Sequence, residues 1–206
     1  MNRNHDPCPA LETLERRSMV EFRALGDEAN PYIVTGYAAT FDPFVLYSFD
    51  GVDYKERILP DAFSMADMSD VIFQFDHQGR VYARTSNKTL EVTPDDHGLK
   101  IRADLSSTES AKAVFEEIRT GLITKMSFSF RVAKDRYEEE THTRVIERIK
   151  KVFDVSAVSQ PANAGTEIGV SARDYFAGIL SAQKRNAQEA ALALRRRRMA
   201  LRTKAI

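Results

Sequence analysis

Residues 125–132 read KMSFSFRV, and their alternation is strict. In an extended chain Met126, Phe128 and Phe130 share one face, while Ser127, Ser129 and Arg131 share the other. The pattern predicts a strand with an apolar face toward a core and a polar face bearing two hydroxyls. Just upstream lies the clearest helix. Ser106 and Glu109 make a capping-box pattern. Ala111, Val114, Phe115 and Ile118 form one apolar stripe at helical spacing. Gly121 supplies the C-terminal stop.

Working outward, the charged stretch Asp135–Arg144 reads as a hairpin tip, and Val145–Val158 as one or two further strands. Asp154 sits inside the apolar run VFDVSAV. Pro161 to Gly165 is a turn, and Ala172 to about Lys204 is Ala-, Leu- and Arg-rich and reads as helix. Upstream, Val71–Phe75 is a short apolar strand leading into Asp76-His77-Gln78-Gly79. Val81–Thr85, Thr89–Val92 and Leu99–Leu105 read as consecutive strands, with Pro94–Gly98 as turn chemistry. Pro60 begins a short helix through Met68. Tyr54–Leu59 is extended, and residues 42–54 read as a loop. Tyr32–Thr40 is a strand with a bulge or close approach at Gly36. From Met19 onward Val20, Phe22 and Ala24 alternate with charged residues. About ten strands, with turns roughly 8–12 residues apart, predict a mainly β fold. The expected form is a closed or partly open antiparallel β-barrel, with one or two short helices and a C-terminal basic helix.

The 206 residues suit one domain with tails. The expected division is a flexible arm over 1–17, a folded domain over 18–172 and a basic helical tail over 173–206. Hydrophobic residues make up 43%, enough for a packed core, yet no apolar run approaches the ~20 residues of a membrane span. The first residues lack the apolar stretch of a secretory signal. One cysteine, Cys8, excludes an internal disulfide framework and a cysteine zinc cluster. The expectation is a cytoplasmic chain with no metal and no cofactor. Its 30 basic and 30 acidic residues are unevenly placed. Residues 182–206 hold eight Lys/Arg against Glu189 alone, leaving 22 basic and 29 acidic residues in 1–181. An acidic body with a basic tail points to an interaction segment at the C-terminus.

Three residue types suggest chemistry. Serine is a weak nucleophile that needs a base within hydrogen-bond reach. Histidine titrates near working pH and is the usual base, and a carboxylate can fix its tautomer. Ser127, His77 and Asp154 supply that set. Each also has a plainer reading. His77 can be a loop-end histidine in solvent. Ser127 can be an ordinary polar-face residue, and Asp154 can pair with Arg148, Lys150 or Lys151.

Several segments together resemble the caudovirus prohead serine protease family, which is similar to the herpesvirus assemblins. They are Glu15-Arg16-Arg17, Ile33–Phe41 (IVTGYAATF), Glu56–Phe63 (ERILPDAF), Ala83-Arg84-Thr85 with Thr89-Leu90, Gly121–Phe130 (GLITKMSFSF), and Asp154–Val158 (DVSAV) with Pro161-Ala162. The resemblance covers about Glu15 to Ile168. It implies that Ser127 is the nucleophile, His77 the base and Asp154 the third member, a place that assemblins fill with a second histidine. Two positions depart from the family pattern: Asp61 and Ser129 stand where glycine is usual.

The resemblance further implies a maturation endopeptidase that cleaves scaffold, or the scaffolding segment of the major capsid protein, and itself. It would act inside the immature capsid, as a homo-oligomer, with backbone amides as the oxyanion hole. For the arginine-rich tail, docking to capsid or scaffold ranks above nucleic-acid contact, since no aromatic platform lies among the arginines. The competing reading is a non-catalytic scaffolding or capsid-assembly protein of the same fold.

Overall fold

The computed structural model describes residues 14–24 and 31–159, together with 178, 179 and 181. The chain forms two compact units, Met1–Ile168 and Gly169–Ile206. All named elements lie in the first. Most of the expected arm, the Pro161–Gly165 turn and the body of the expected basic helix lie outside the described residues.

Ten strands follow in order: β1 Glu15–Ala24, β2 Ile33–Thr40, β3 Phe44–Phe49, β4 Val52–Ile58, β5 Ile72–Phe75, β6 Gln78–Arg84, β7 Leu90–Pro94, β8 Gly98–Asp104, β9 Lys125–Glu138 and β10 Thr143–Val158. A 3₁₀ turn, Pro60–Phe63, precedes β5, and helix α1, Glu109–Arg119, precedes β9. The fold is mainly β, as expected.

The barrel expectation needs correction. The strands follow an open path, β3-β4-β10-β9-β1-β2-β8-β7, with β5 and β6 branching from β10. Closure would require β7 to hydrogen-bond β3 or β6, and neither pairing exists among the described residues. Nor is the sheet wholly antiparallel. The long β10 pairs antiparallel with β9 along one edge. On its other edge it pairs parallel with β4 through residues 143–146 and parallel with β5 through residues 154–157. The 3₁₀ turn joins those two parallel partners.

Local departures have local causes. The supposed loop at 42–54 contains β3. Asp50-Gly51 closes the β3–β4 hairpin with φ of 51° and 76°, the left-handed pair of a two-residue turn. The cap of α1 is Thr108, not Ser106: its hydroxyl accepts from Ala111 N–H at 3.1 Å. The predicted helix at Pro60 stops after Phe63, and β1 begins at Glu15 rather than Met19. The side chains of 18–23 lie outside the described set. The bulge in β2 falls between Tyr37 and Ala39 rather than at Gly36. A close approach occurs at Gly98, where a Cβ would meet the Ala39 carbonyl oxygen at 2.0 Å.

The apolar face of β9 does what its alternation predicts. Met126, Phe128 and Phe130 are fully buried, and the two phenyl rings stack with centroids 4.4 Å apart. Phe63, Phe73, Leu99, Ile101 and Ile149 complete the centre, and α1 adds its predicted stripe of Ala111, Val114, Phe115 and Ile118. Burial of such side chains is the main favourable contribution to the fold.

A buried ion network ties the first strand to this body. Arg17 on β1 forks onto Glu56 of β4, with Nε–Oε1 at 2.5 Å and Nη2–Oε2 at 2.7 Å. Arg144 of β10 reaches Glu15 at 2.6 and 2.9 Å and Asp135 at 2.6 Å. Burial pushes the Glu15 carboxyl up, but the Arg17 and Arg144 guanidiniums outweigh it and hold it below the ordinary range.

Candidate active site

Ser127 leaves the polar face of β9, directly opposite Ser156 on β10. The next polar pair along the ladder is Ser129 opposite Asp154. Since strand side chains alternate, the four lie on one face of two adjacent strands. The neighbouring β5 runs parallel to β10 and carries the chain past Asp154 to its end at Phe75. There a two-residue turn, Asp76-His77, reverses into β6, with Phe75 opposite Gln78. Both turn residues have left-handed φ, 47° and 57°. For residues with a Cβ this conformation costs roughly 1–2 kcal/mol each, and such strain concentrates at functional sites.

The turn brings the imidazole back over the β9–β10 face. His77 Nε2 lies 2.6 Å from Ser127 Oγ, and His77 Nδ1 lies 2.6 Å from Asp154 Oδ1. The three residues named from sequence thus meet in one hydrogen-bonded line. They are well shielded: Ser127 is 2% exposed and the side chains of His77 and Asp154 8% each. The histidine is not in solvent, the serine keeps its place on the polar face of β9 but is buried, and the aspartate pairs with the imidazole rather than with Arg148, Lys150 or Lys151.

Proton placement follows from the donor inventory. Ionised Asp154 can only accept, so Nδ1 carries the proton and donates to it. Whenever the ring is neutral, Nε2 is then free to accept the Ser127 hydroxyl proton. That hydroxyl has a second acceptor, the main-chain carbonyl of Arg17 at 2.8 Å.

Asp154 is surrounded by further donors. Ser129 donates to its Oδ2, and Ser156 donates to its Oδ1 at 2.7 Å. Burial alone would push this carboxyl up. The hydrogen bonds from His77, Ser129 and Ser156, together with the attraction of the imidazolium whenever the ring is protonated, hold it below the usual aspartate range. Ser129, noted in the sequence for replacing a glycine, therefore contributes a hydroxyl to the carboxylate. Ser156 and Arg17 were assigned no role from sequence. For Ser156 the signal was present, since it stands two residues from Asp154 and period-2 alternation puts both on one face. The carbonyl of Arg17 had no such signal, because any residue type offers one.

The arrangement can take a proton from a serine hydroxyl and stabilise the resulting imidazolium, the requirement of serine acyl transfer. Among the described residues no group of three or more His, Cys, Asp or Glu side chains could hold a metal ion. No described helix is long and apolar enough to cross a membrane.

Comparison with curated proteins and with solved structures found no match. A family model described as caudovirus prohead serine protease matches residues 18–178. That match spans more than half of the chain and includes every strand from β2 to β10, and the chain belongs to the caudovirus prohead serine protease family.

Proposed function

We propose that the chain is a prohead maturation endopeptidase in which Ser127 is the nucleophile, His77 the general base and Asp154 the orienting carboxylate. The observation that carries the reading is the unbroken line from Ser127 Oγ through both imidazole nitrogens to Asp154, with both links 2.6 Å. Ser127 Oγ attacks the scissile carbonyl as its proton passes to Nε2. The imidazolium, held against Asp154, then gives that proton to the departing amine, and the peptide C–N bond breaks. Water, activated by the same nitrogen, releases the acyl group and restores the serine.

The substrates in this reading are the scaffold, or the scaffolding segment of the major capsid protein, and the chain itself. The enzyme works as a homo-oligomer inside the immature capsid, in the host cytoplasm. Its protease domain is residues 18–172, and residues 173–206 dock on capsid or scaffold partners.

The test is co-expression with the cognate capsid protein, comparing wild type with Ser127→Ala by intact mass of every product. Wild type is expected to give trimmed capsid protein and a shortened protease, and Ser127→Ala neither. Trimming by Ser127→Ala overturns the assignment. A wild type that leaves every chain intact and resists a serine-directed phosphonate favours the non-catalytic assembly protein.

A further inference from the structure

His77 is held at positive φ, a conformation that costs any residue with a Cβ relative to glycine. Type I′ hairpin loops are dominated by Asn-Gly and Asp-Gly, because glycine escapes the Cβ clash at positive φ. Here the second position is His77 itself, with φ 57°. A side chain in that conformation persists only where surrounding contacts over-determine it.

Those contacts converge on Asp76. Its N–H donates to the Ala157 carbonyl at 2.9 Å. Its carboxylate accepts the Ser159 N–H on Oδ1 and the Ser159 hydroxyl on Oδ2, both at 2.8 Å. The β5–β10 ladder ends at the Phe75–Ala157 pair. The Asp76 bonds are therefore the last fixed points before the base. Beyond the turn, β6 pairs only with β5 among the described residues.

We propose that Asp76 is a positioning residue for His77: its three-bond latch onto Ala157 and Ser159 holds the turn so that Nδ1 faces Asp154 and Nε2 faces Ser127. The inference rests on the reading of His77 as the base. Because the latch ends on Ala157 of β10 and on Ser159, the residue that follows its last position, base and carboxylate are tied to the same stretch of chain. Small displacements of a reacting group are costly, of the order of a hundredfold in rate for 1 Å.

Glycine at position 76 separates two roles. Asp76→Gly keeps left-handed freedom but removes the carboxylate, whereas Asp76→Asn keeps both the turn preference and one acceptor oxygen. Rates are taken per phosphonate-titrated site, so unfolded enzyme does not count. Asp76→Gly is expected to lower kcat roughly ten- to a hundredfold with KM little changed. It is also expected to broaden or abolish the low-field Nδ1 proton resonance of His77. Asp76→Asn should retain the resonance and most of the rate. Ser159→Ala, an exposed change that leaves the turn sequence intact, should show the same loss in milder form. A normal rate and an unaltered resonance in Asp76→Gly overturn the latch and leave Asp76 a turn former only. The resonance needs no turnover, so it judges the latch even where wild type cleaves nothing, an outcome that would instead defeat the protease reading.

Discussion

The hydroxyl oxygen of Ser127 lies 2.8 Å from the main-chain carbonyl oxygen of Arg17, on the far end of the chain from the rest of the site. The proton of that hydroxyl therefore has two acceptors, His77 Nε2 and the carbonyl. The β1–β9 pairing sets that carbonyl beside Ser127, and the Arg17 side chain is anchored on Glu56 and Glu15. Arg17→Met strips the buried Glu56 of its bidentate partner and leaves it the 3.2 Å contact with Arg144. A buried charge left wholly unpaired costs about 3–5 kcal/mol, which sets the upper bound here. Urea denaturation should show that loss, and phosphonate labelling of Ser127 should slow in the fraction still folded.

Ser129 and Ser156 each give Asp154 a hydrogen bond to a charged acceptor, an interaction worth about 1.5–3 kcal/mol. Both act to hold its carboxyl low. Ser129→Ala should therefore raise the Asp154 carboxyl toward the ordinary aspartate range, readable by carbon NMR titration. The acid limit of activity should move to higher pH, since Asp154 is then protonated sooner. Asp154→Asn removes the charge and reverses the tautomer preference, with an expected fall in kcat of up to about 10⁴-fold.

Glu15 gives a pH signature in stability. Its folded carboxyl lies below the ordinary value of 4.5, because the Arg17 and Arg144 charges outweigh the effect of burial. A depressed acid stabilises the fold above its unfolded value and loses that contribution as pH falls through the folded one. Wild type should thus lose stability progressively below about pH 4.5. Glu15→Gln should be less stable at neutral pH and show a flatter acid limb, measured as urea midpoints across pH.

Gly98 abuts the backbone of β2, with the Ala39 carbonyl oxygen 2.0 Å from where a Cβ would sit. Backbone cannot yield as a side-chain tip does. Gly98→Ala should destabilise by at least about 1–3 kcal/mol, the usual cost of overpacking. Thermal melting will show it, and a wild-type melting temperature would refute the close approach.

The alternation in KMSFSFRV was sufficient to place β9, its buried face and the two hydroxyls opposite. The α1 stripe was equally legible, because period 3.6 over eleven residues leaves little ambiguity. Asp50-Gly51 is a hairpin signal, but the mix of Pro43, Gly51, aspartates and aromatics in 42–54 reads as a loop, so the turn was missed. The parallel pairings of β10 were not legible. Nothing local in Arg57 or Val145 says that they stand side by side, since parallel partners are joined by long connections rather than by a turn. For the same reason the barrel expectation failed: strand count and spacing do not state which strands end the sheet. The trio of site residues was legible only through the order of several motifs. The donors around Asp154 depend on cross-strand register, which one sequence does not print.

The division of β10 between two parallel partners has a consequence for biosynthesis. This strand is the last of the ten to leave the ribosome, and it supplies Asp154, the second neighbour of β9 and the anchor for β5. Ser127 must also find Arg17, 110 positions earlier. Contacts of such long range form late and slowly. A nascent or truncated chain that lacks β10 has the serine and the histidine but nothing to bring them together. The hydrogen-bonded line therefore waits for β10, the strand that pairs with both β5 and β9 and so sets the spacing of all three side chains.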